Sequence, residues 1–195
     1  MLDKSVPYAG LFMHRKAGTP IPSFPLPDGF SYVFFADGDE RSWAKIETSV
    51  QEFNSEFAAL LHFRENFIPH PKDLNSRCLF IENEAGEKVA TATSWWSYVD
   101  RERRPWLHWV GTDPQYQGLG LGKAIISRAT EVFVELEGDV EIFLKTQTWS
   151  YKAINIYLAC GYEPTDEKTL YRDRRDNCKK AMKILEQINR QREGS

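Results

Sequence analysis

Gln117-Gly118-Leu119-Gly120-Leu121-Gly122-Lys123 is the stretch on which the reading of this chain turns. It stands between a short β-type segment, Trp106–Thr112, and a strongly helical one, Leu121–Leu136. In the latter, Leu121, Ile125, Ala129, Val132 and Leu136 recur at helical spacing. Glycines at every second position let the backbone approach a partner closely at the point where a helix begins. A helix start presents N–H groups without intrahelical acceptors and the positive end of the macrodipole. The natural partner is an anion, with phosphate or pyrophosphate first in line.

Three phosphate loops compete for this run. A Walker A loop requires G-x-x-x-x-G-K-[ST], but Gln117 stands at the first glycine and Ala124 at the Mg²⁺-binding hydroxyl. A dinucleotide loop requires G-x-G-x-x-G after the first strand of a parallel βαβ unit. The spacing here is G-x-G-x-G, and the preceding strand follows a hairpin. The third pattern, Q/R-x-x-G-x-G/A in a strand–turn–helix, fits Gln117–Gly122 throughout.

Working outward, Met1–Asp28 holds five of the ten prolines (Pro7, Pro20, Pro22, Pro25 and Pro27), which predicts an extended or turn-rich arm. A strand is expected at Phe30–Phe35. Asp37 and Glu40 have capping-box spacing and open a helix over Asp39–Glu52, with Trp43, Ile46 and Val50 on one stripe. A second helix, Ser55–Glu65, breaks before Pro69 and Pro71. Arg77–Glu82 and Lys88–Trp96 flank Asn83–Glu87, a hairpin signal with Gly86 in the turn. Val140–Gln147 alternates as a strand, Ser150–Cys160 is a helix closed by Gly161, and a last amphipathic helix covers Lys179–Gln191. Strands and helices mix without strict alternation, so the fold class is α+β (mixed α/β).

At this point the chain resembles the GCN5-related N-acetyltransferase (GNAT) family. Val110-Gly111-Thr112-Asp113-Pro114 is similar to the end of the family's strand before the loop. Ser150-Tyr151-Lys152-Ala153-Ile154-Asn155-Ile156-Tyr157-Leu158-Ala159-Cys160-Gly161-Tyr162 is similar to its second block, with Ser150 in place of the usual asparagine. The resemblance implies a mostly antiparallel twisted sheet splayed between the fourth and fifth strands, flanked by helices, here with an extra C-terminal helix. It implies acetyl-coenzyme A as co-substrate. The pyrophosphate would lie on Gln117, Gly118, Leu119, Gly120, Leu121, Gly122 and Lys123, the pantetheine arm along Val110, Gly111 and Thr112, with Ser150 nearby. The acceptor would be a small-molecule or peptide amine. The domain division it suggests is an arm at 1–28 and one acetyltransferase-like domain at 29–195, with its coenzyme-binding core at 106–162.

The implied chemistry is attack of a neutral amine on a thioester. An alkyl ammonium has a pKa of about 10.4, so a proton must leave before attack, and the departing thiolate benefits from a donor. Tyr157 matches the family tyrosine near the coenzyme sulfur and is the candidate acid; its spacing with Ala153, Ile156 and Cys160 equally suits a core face. His108 is the candidate base, with a water chain as the alternative. Strand alternation puts it on the same face as Val110 and Thr112. Trp95, Trp96, Tyr98, Trp106, Trp109, Trp149 and Tyr151 offer an aromatic wall for the acceptor, and Asp100, Glu102 and Asp113 offer negative charge. The rival reading is a non-catalytic acetyl-coenzyme A sensor or assembly module on the same fold.

The composition agrees with an ordinary globular domain: 195 residues, 42% hydrophobic and 27% charged. A net charge of −3 speaks against a nucleic-acid partner. Cys78, Cys160 and Cys178 form no metal-ligand pair or disulfide framework, so no metal and a reducing, cytoplasmic setting are expected. No stretch reads as a membrane span or a signal peptide. The C-terminal helix has a stripe for the sheet or for a second subunit in a homodimer.

Overall fold

The structure is a computed structural model that describes residues 2–168, 170 and 178–193. Within these residues the strands are β1 (Gly10–Arg15), β2 (Phe30–Phe34), β3 (Cys78–Asn83), β4 (Lys88–Val99), β5 (Glu102–Thr112), β6 (Ile142–Gln147) and β7 (Glu163–Thr165). The α-helices are α1 (Glu40–Ser49), α2 (Glu56–Asn66), α3 (Pro71–Arg77), α4 (Leu121–Glu137), α5 (Tyr151–Ala159) and α6 (Cys178–Glu193). All seven strands form one sheet in the order β2-β3-β4-β5-β6-β1-β7.

Every neighbouring pair is antiparallel except β5 and β6, which run parallel and share the single register pair Trp106↔Phe143. That is the splay expected of a GNAT-like mixed α/β sheet. Counted from the β2 edge, it falls between the fourth and fifth strands.

Both faces of the sheet are covered, which β3 shows residue by residue. Leu79 and Ile81 belong to the core beneath α4, with Ile125, Ile126, Ala129 and Phe133. Cys78 and Phe80 belong to the core beneath α1 and α2, with Trp43, Ile46, Ala59, Phe63 and Phe67. Period-two alternation therefore sends apolar side chains both ways, and burial of each Phe or Ile is worth about 1.5–3 kcal/mol.

Three elements differ from the sequence expectation. The proline-rich arm contains β1, which is buried along its whole length and lies between β6 and β7. Gly10–Arg15 of the arm is thus a strand of the sheet. α2 ends at Asn66, before both prolines as expected, but Pro71 then opens a further helix, α3, because a first-turn residue needs no N–H. Glu163–Thr165 continues as β7, pairing with β1.

Capping also differs at α1. The N-cap is Asp39, not Asp37, and its carboxylate makes no cap bond; it accepts from the Ala36 N–H at 2.9 Å and pairs with Lys88 at 3.1 Å. In α2, Ser55 Oγ accepts from the Ala58 N–H at 3.2 Å, an ordinary N-cap. Gly161 ends α5 as expected, at φ +85°. Its N–H reaches the Leu158 carbonyl at 3.1 Å and the Tyr162 N–H reaches that of Tyr157 at 3.0 Å, a Schellman motif.

Candidate active site

The loop between β5 and α4 is built for close backbone approach. Asp113 caps the turn Pro114–Tyr116 by accepting from the Gln115 N–H at 2.9 Å, and the Gln117 side-chain amide donates to the Thr112 carbonyl at 3.0 Å. Gly118 and Gly120 follow at φ +86° and +88°, with nothing within 4 Å of where a Cβ would stand. These glycines are required by conformation, not by space. Gly122 serves closeness instead: a Cβ there would lie 3.2 Å from Ile156 Cδ1, so α4 and α5 meet without a side chain between them. Gly120 is the N-cap of α4, so the loop delivers the helix's unpaired N–H groups to the cleft mouth.

That cleft has a volume of about 460 Å³. Of the residues expected to hold a coenzyme, Val110, Thr112, Gln117, Gly118, Gly120, Leu121, Gly122, Lys123 and Ser150 line it. Leu119 is 49% exposed and Gly111 faces α1, so neither lies on this wall. Ile126, Lys152, Ala153 and Ile156 join the lining from α4 and α5, and Leu2, Val50 and Glu52 close it from the arm and from the end of α1. The arm is fastened there: the Asp3 N–H donates to the Trp149 carbonyl at 2.9 Å, and Trp149 Nε1 donates to the Val6 carbonyl at 2.9 Å.

A second cleft of about 370 Å³ lies where β5 and β6 part. It shares Glu52, Val110, Ser150 and Ala153 with the first, and adds Glu47, Ser97, Trp106, His108, Trp109, Lys145 and Tyr157. Both catalytic candidates are therefore on its wall. Tyr157 is 7% exposed, and burial pushes its phenol well above the ordinary range, with the carboxylates of Glu52 and Glu47 adding to the rise. It stays protonated at neutral pH, as a donor must. Burial lowers the His108 pKa to about 4, and its Nε2 lies 3.0 Å from Ser97 Oγ. His108 is neutral at pH 7 and holds an extra proton weakly.

The face assignment of His108 changes. The β4–β5 register slips between Thr91 and Thr93, so that Gly111 pairs with Thr91 and His108 with Thr93. The extra residue is absorbed at a bulge beside Trp109, whose φ is +49°, a conformation bulky side chains avoid. The bulge reverses the phase of alternation. His108 and Gly111 face α1, while Thr112 faces α4, where its Oγ1 lies 3.9 Å from the Cβ position of Gly122.

The aromatic wall divides. Trp106 and Trp109 line the second cleft, and Trp109 packs with Phe53 (4.9 Å), His62 (4.8 Å) and Trp43 (5.7 Å). Trp95 and Trp96 stack on each other at 4.1 Å, with Arg103 over Trp96, while Tyr98 is 68% exposed. The acidic candidates do not reach the cleft: Asp113 caps a turn and Glu102 pairs with Arg104 at 3.7 Å. The carboxylates that do reach it are Glu47 and Glu52. Glu47 was detectable, since a carboxylate between Trp43, Ile46 and Val50 interrupts an apolar stripe.

Among the described residues no three His, Cys, Asp or Glu side chains group as metal ligands, and no helix is long and apolar enough to cross a membrane. The sequence profile of the Acetyltransferase (GNAT) family matches residues 32–162, from β2 to the end of the α5 block. The chain belongs to the GNAT family.

Among solved structures, this GNAT chain is similar to a GCN5-related N-acetyltransferase from Sphaerobacter thermophilus, with 20% identity and a TM-score of 0.66 over 82% of this chain and 49% of that one. A GNAT-family acetyltransferase from Colwellia psychrerythraea gives 10% and 0.62 over 84% and 55%, and one from Kribbella flavida 22% and 0.55 over 82% and 55%. The chain thus spans about half the length of these structures, and at such identity the likeness is one of fold. A search of curated proteins found no match. GNAT acetyltransferases generally use acetyl-coenzyme A and act on amine acceptors.

Proposed function

We propose that this protein transfers the acetyl group of acetyl-coenzyme A to a primary amine by direct attack. The observation that carries the reading is the junction of the two clefts: a glycine-lined volume at a helix start meets a smaller, side-chain-lined one at Val110, Ser150 and Ala153. A pyrophosphate suits the N–H groups at the start of α4, with Lys123 and Lys152 on the same wall. The pantetheine arm would lie along the free edge of β5 where β6 diverges. That route delivers the thioester to Tyr157, whose neutral phenol serves as donor to the departing sulfur. His108 borders the acceptor side as a neutral hydrogen-bonding group.

Cys78 and Cys160 are buried free thiols, which fits the cytoplasmic setting we propose along with an amine, rather than a nucleic acid or membrane, as partner. The test has two stages. Acetyl-coenzyme A should raise the melting temperature while ATP and NAD should not, because only a ligand of the native state stabilises it by mass action. Thiol release should then appear with at least one member of an amine panel. Stabilisation by the coenzyme without turnover of any amine would favour a sensing module over an enzyme.

A further inference from the structure

The acceptor cleft holds a group that the fold does not need. Glu47 is 0% exposed, and neither of its carboxylate oxygens has a hydrogen-bond partner. It occupies a position in the apolar stripe of α1 where an aliphatic side chain would pack without the penalty of a buried, unpaired carboxyl. The sheet makes room for it. A Cβ on Gly111 would lie 2.9 Å from Glu47 Oε1 and 2.9 Å from Ile46 Cγ2, so glycine beyond the bulge leaves the space that the carboxyl fills. From there Glu47 lines the smaller cleft together with His108, Trp109 and Tyr157.

We propose that Glu47 is a catalytic residue for the acceptor: its carboxylate pairs with a primary ammonium ion in the smaller cleft and takes the proton that must leave before attack. This rests on the acetyl-transfer reading above. An ammonium supplies what Glu47 lacks, a charge and hydrogen-bond donors for two orphaned oxygens. Burial raises the Glu47 pKa well above the ordinary carboxyl value, with Glu52 adding to the rise, and so favours its protonated form until a cation pairs with it. The titratable and charged groups around it are Glu52 beyond α1, His108 on β5, Tyr157 on α5, Cys78 on β3 and Lys145 on β6. Lys145 Nζ lies over the Phe12 ring at 5.3 Å.

The step balances as follows. The ammonium gives one proton to the Glu47 carboxylate, which later releases it to solvent. The nitrogen lone pair forms the C–N bond at the thioester carbonyl, giving a tetrahedral adduct with a positive nitrogen. As that adduct collapses the C–S bond breaks; Tyr157 gives its proton to the sulfur and regains one from the nitrogen. The products are the amide, the free thiol and one proton.

Glu47→Gln keeps the shape and removes the charge. With the amine that the wild type uses best, kcat/KM at pH 7 should fall at least about a hundredfold, with acetyl-coenzyme A affinity unchanged. The pH profile separates this role from a structural one. In the wild type, kcat/KM should rise with pH and level off at the ionisation of Glu47; in Glu47→Gln it should keep rising toward the amine's own pKa of about 10.4. A variant that matches the wild type in rate and levels off at the same pH would overturn the proposal. Should the variant fail to fold, an infrared difference titration of the wild type with butylamine decides. The band of a buried protonated carboxyl should bleach as amine binds, in Glu52→Gln as in the wild type, and an unchanged band overturns the assignment. Absence of thiol release with every amine would count against acetyl transfer itself, and the butylamine titration still reads Glu47.

Discussion

The two clefts, proposed here for coenzyme and acceptor, share four residues and are made in different ways. The first takes its anion-facing edge from backbone: two left-handed glycines, a helix start and the parted edge of β5. The second is side chains brought from α1, β4, β5, β6 and α5. Backbone sites need glycines at fixed spacing and so leave a motif in the sequence. Side-chain sites need only that distant residues converge, and convergence leaves no local trace. A family can therefore keep one donor loop while changing what the other cleft accepts.

The largest effect that would sharpen this contrast is at His108. Its pKa falls from an ordinary 6.5 to about 4 on burial, so the unfolded chain binds more protons between those values and stability rises with pH there. The contribution is complete above about pH 6.5 and lost as pH falls toward 4, a loss of about 3 kcal/mol. Urea melts at pH 7 and pH 4 should show a loss smaller by this amount in His108→Gln; equal losses in the two proteins would mean that the ring is not desolvated.

Tyr157→Phe comes next. It should lower kcat at least about tenfold while leaving acetyl-coenzyme A affinity intact, since only the donor is removed. An unchanged kcat would take Tyr157 out of the mechanism. On the backbone side, Gly120→Ala forces a left-handed residue that costs about 1–2 kcal/mol. Calorimetry with acetyl-coenzyme A should show affinity weakened by up to about tenfold, with kcat at saturation close to wild type. A kcat defect at saturation would break the division between the clefts. Ser55→Ala, remote from both, should lose about 1 kcal/mol of stability through its cap and alter neither kcat nor KM.

The same contrast explains what could be read from the chain beforehand. The glycine run, α4, the β3–β4 hairpin and the Schellman end of α5 all carry local signals, and each lies where those signals put it. β1 escaped because Gly10–Arg15 is buried on both faces and so lacks alternation, and because prolines surround it. α3 escaped because Pro71 reads equally as a breaker and as a first-turn residue. The bulge at Trp109 escaped because a positive φ at tryptophan is imposed by tertiary packing, and with it went the true face of His108. Asp37 had the spacing of a capping box, but Asp39, engaged with Ala36 and Lys88, took the N-cap position.

The placement of β1 between β6 and β7 also sets a timetable for the chain. The Ala9 N–H bonds to Thr148 Oγ1, 139 residues away in sequence, so β1 and, through it, β7 must wait for the closure of a very long loop. β2 through β5 and α4 are contiguous and are expected to assemble first as a hairpin-built unit carrying the donor loop. Both clefts take a wall from α5 and the smaller one takes another from β6, so they should be the last parts of the molecule to mature. Pulse-labelling hydrogen exchange in which β1 and β6 amides gain protection as early as those of β3 and β4 would contradict this order. On that timetable, a partly folded chain would hold the glycine loop and the start of α4 before either cleft had gained its α5 wall.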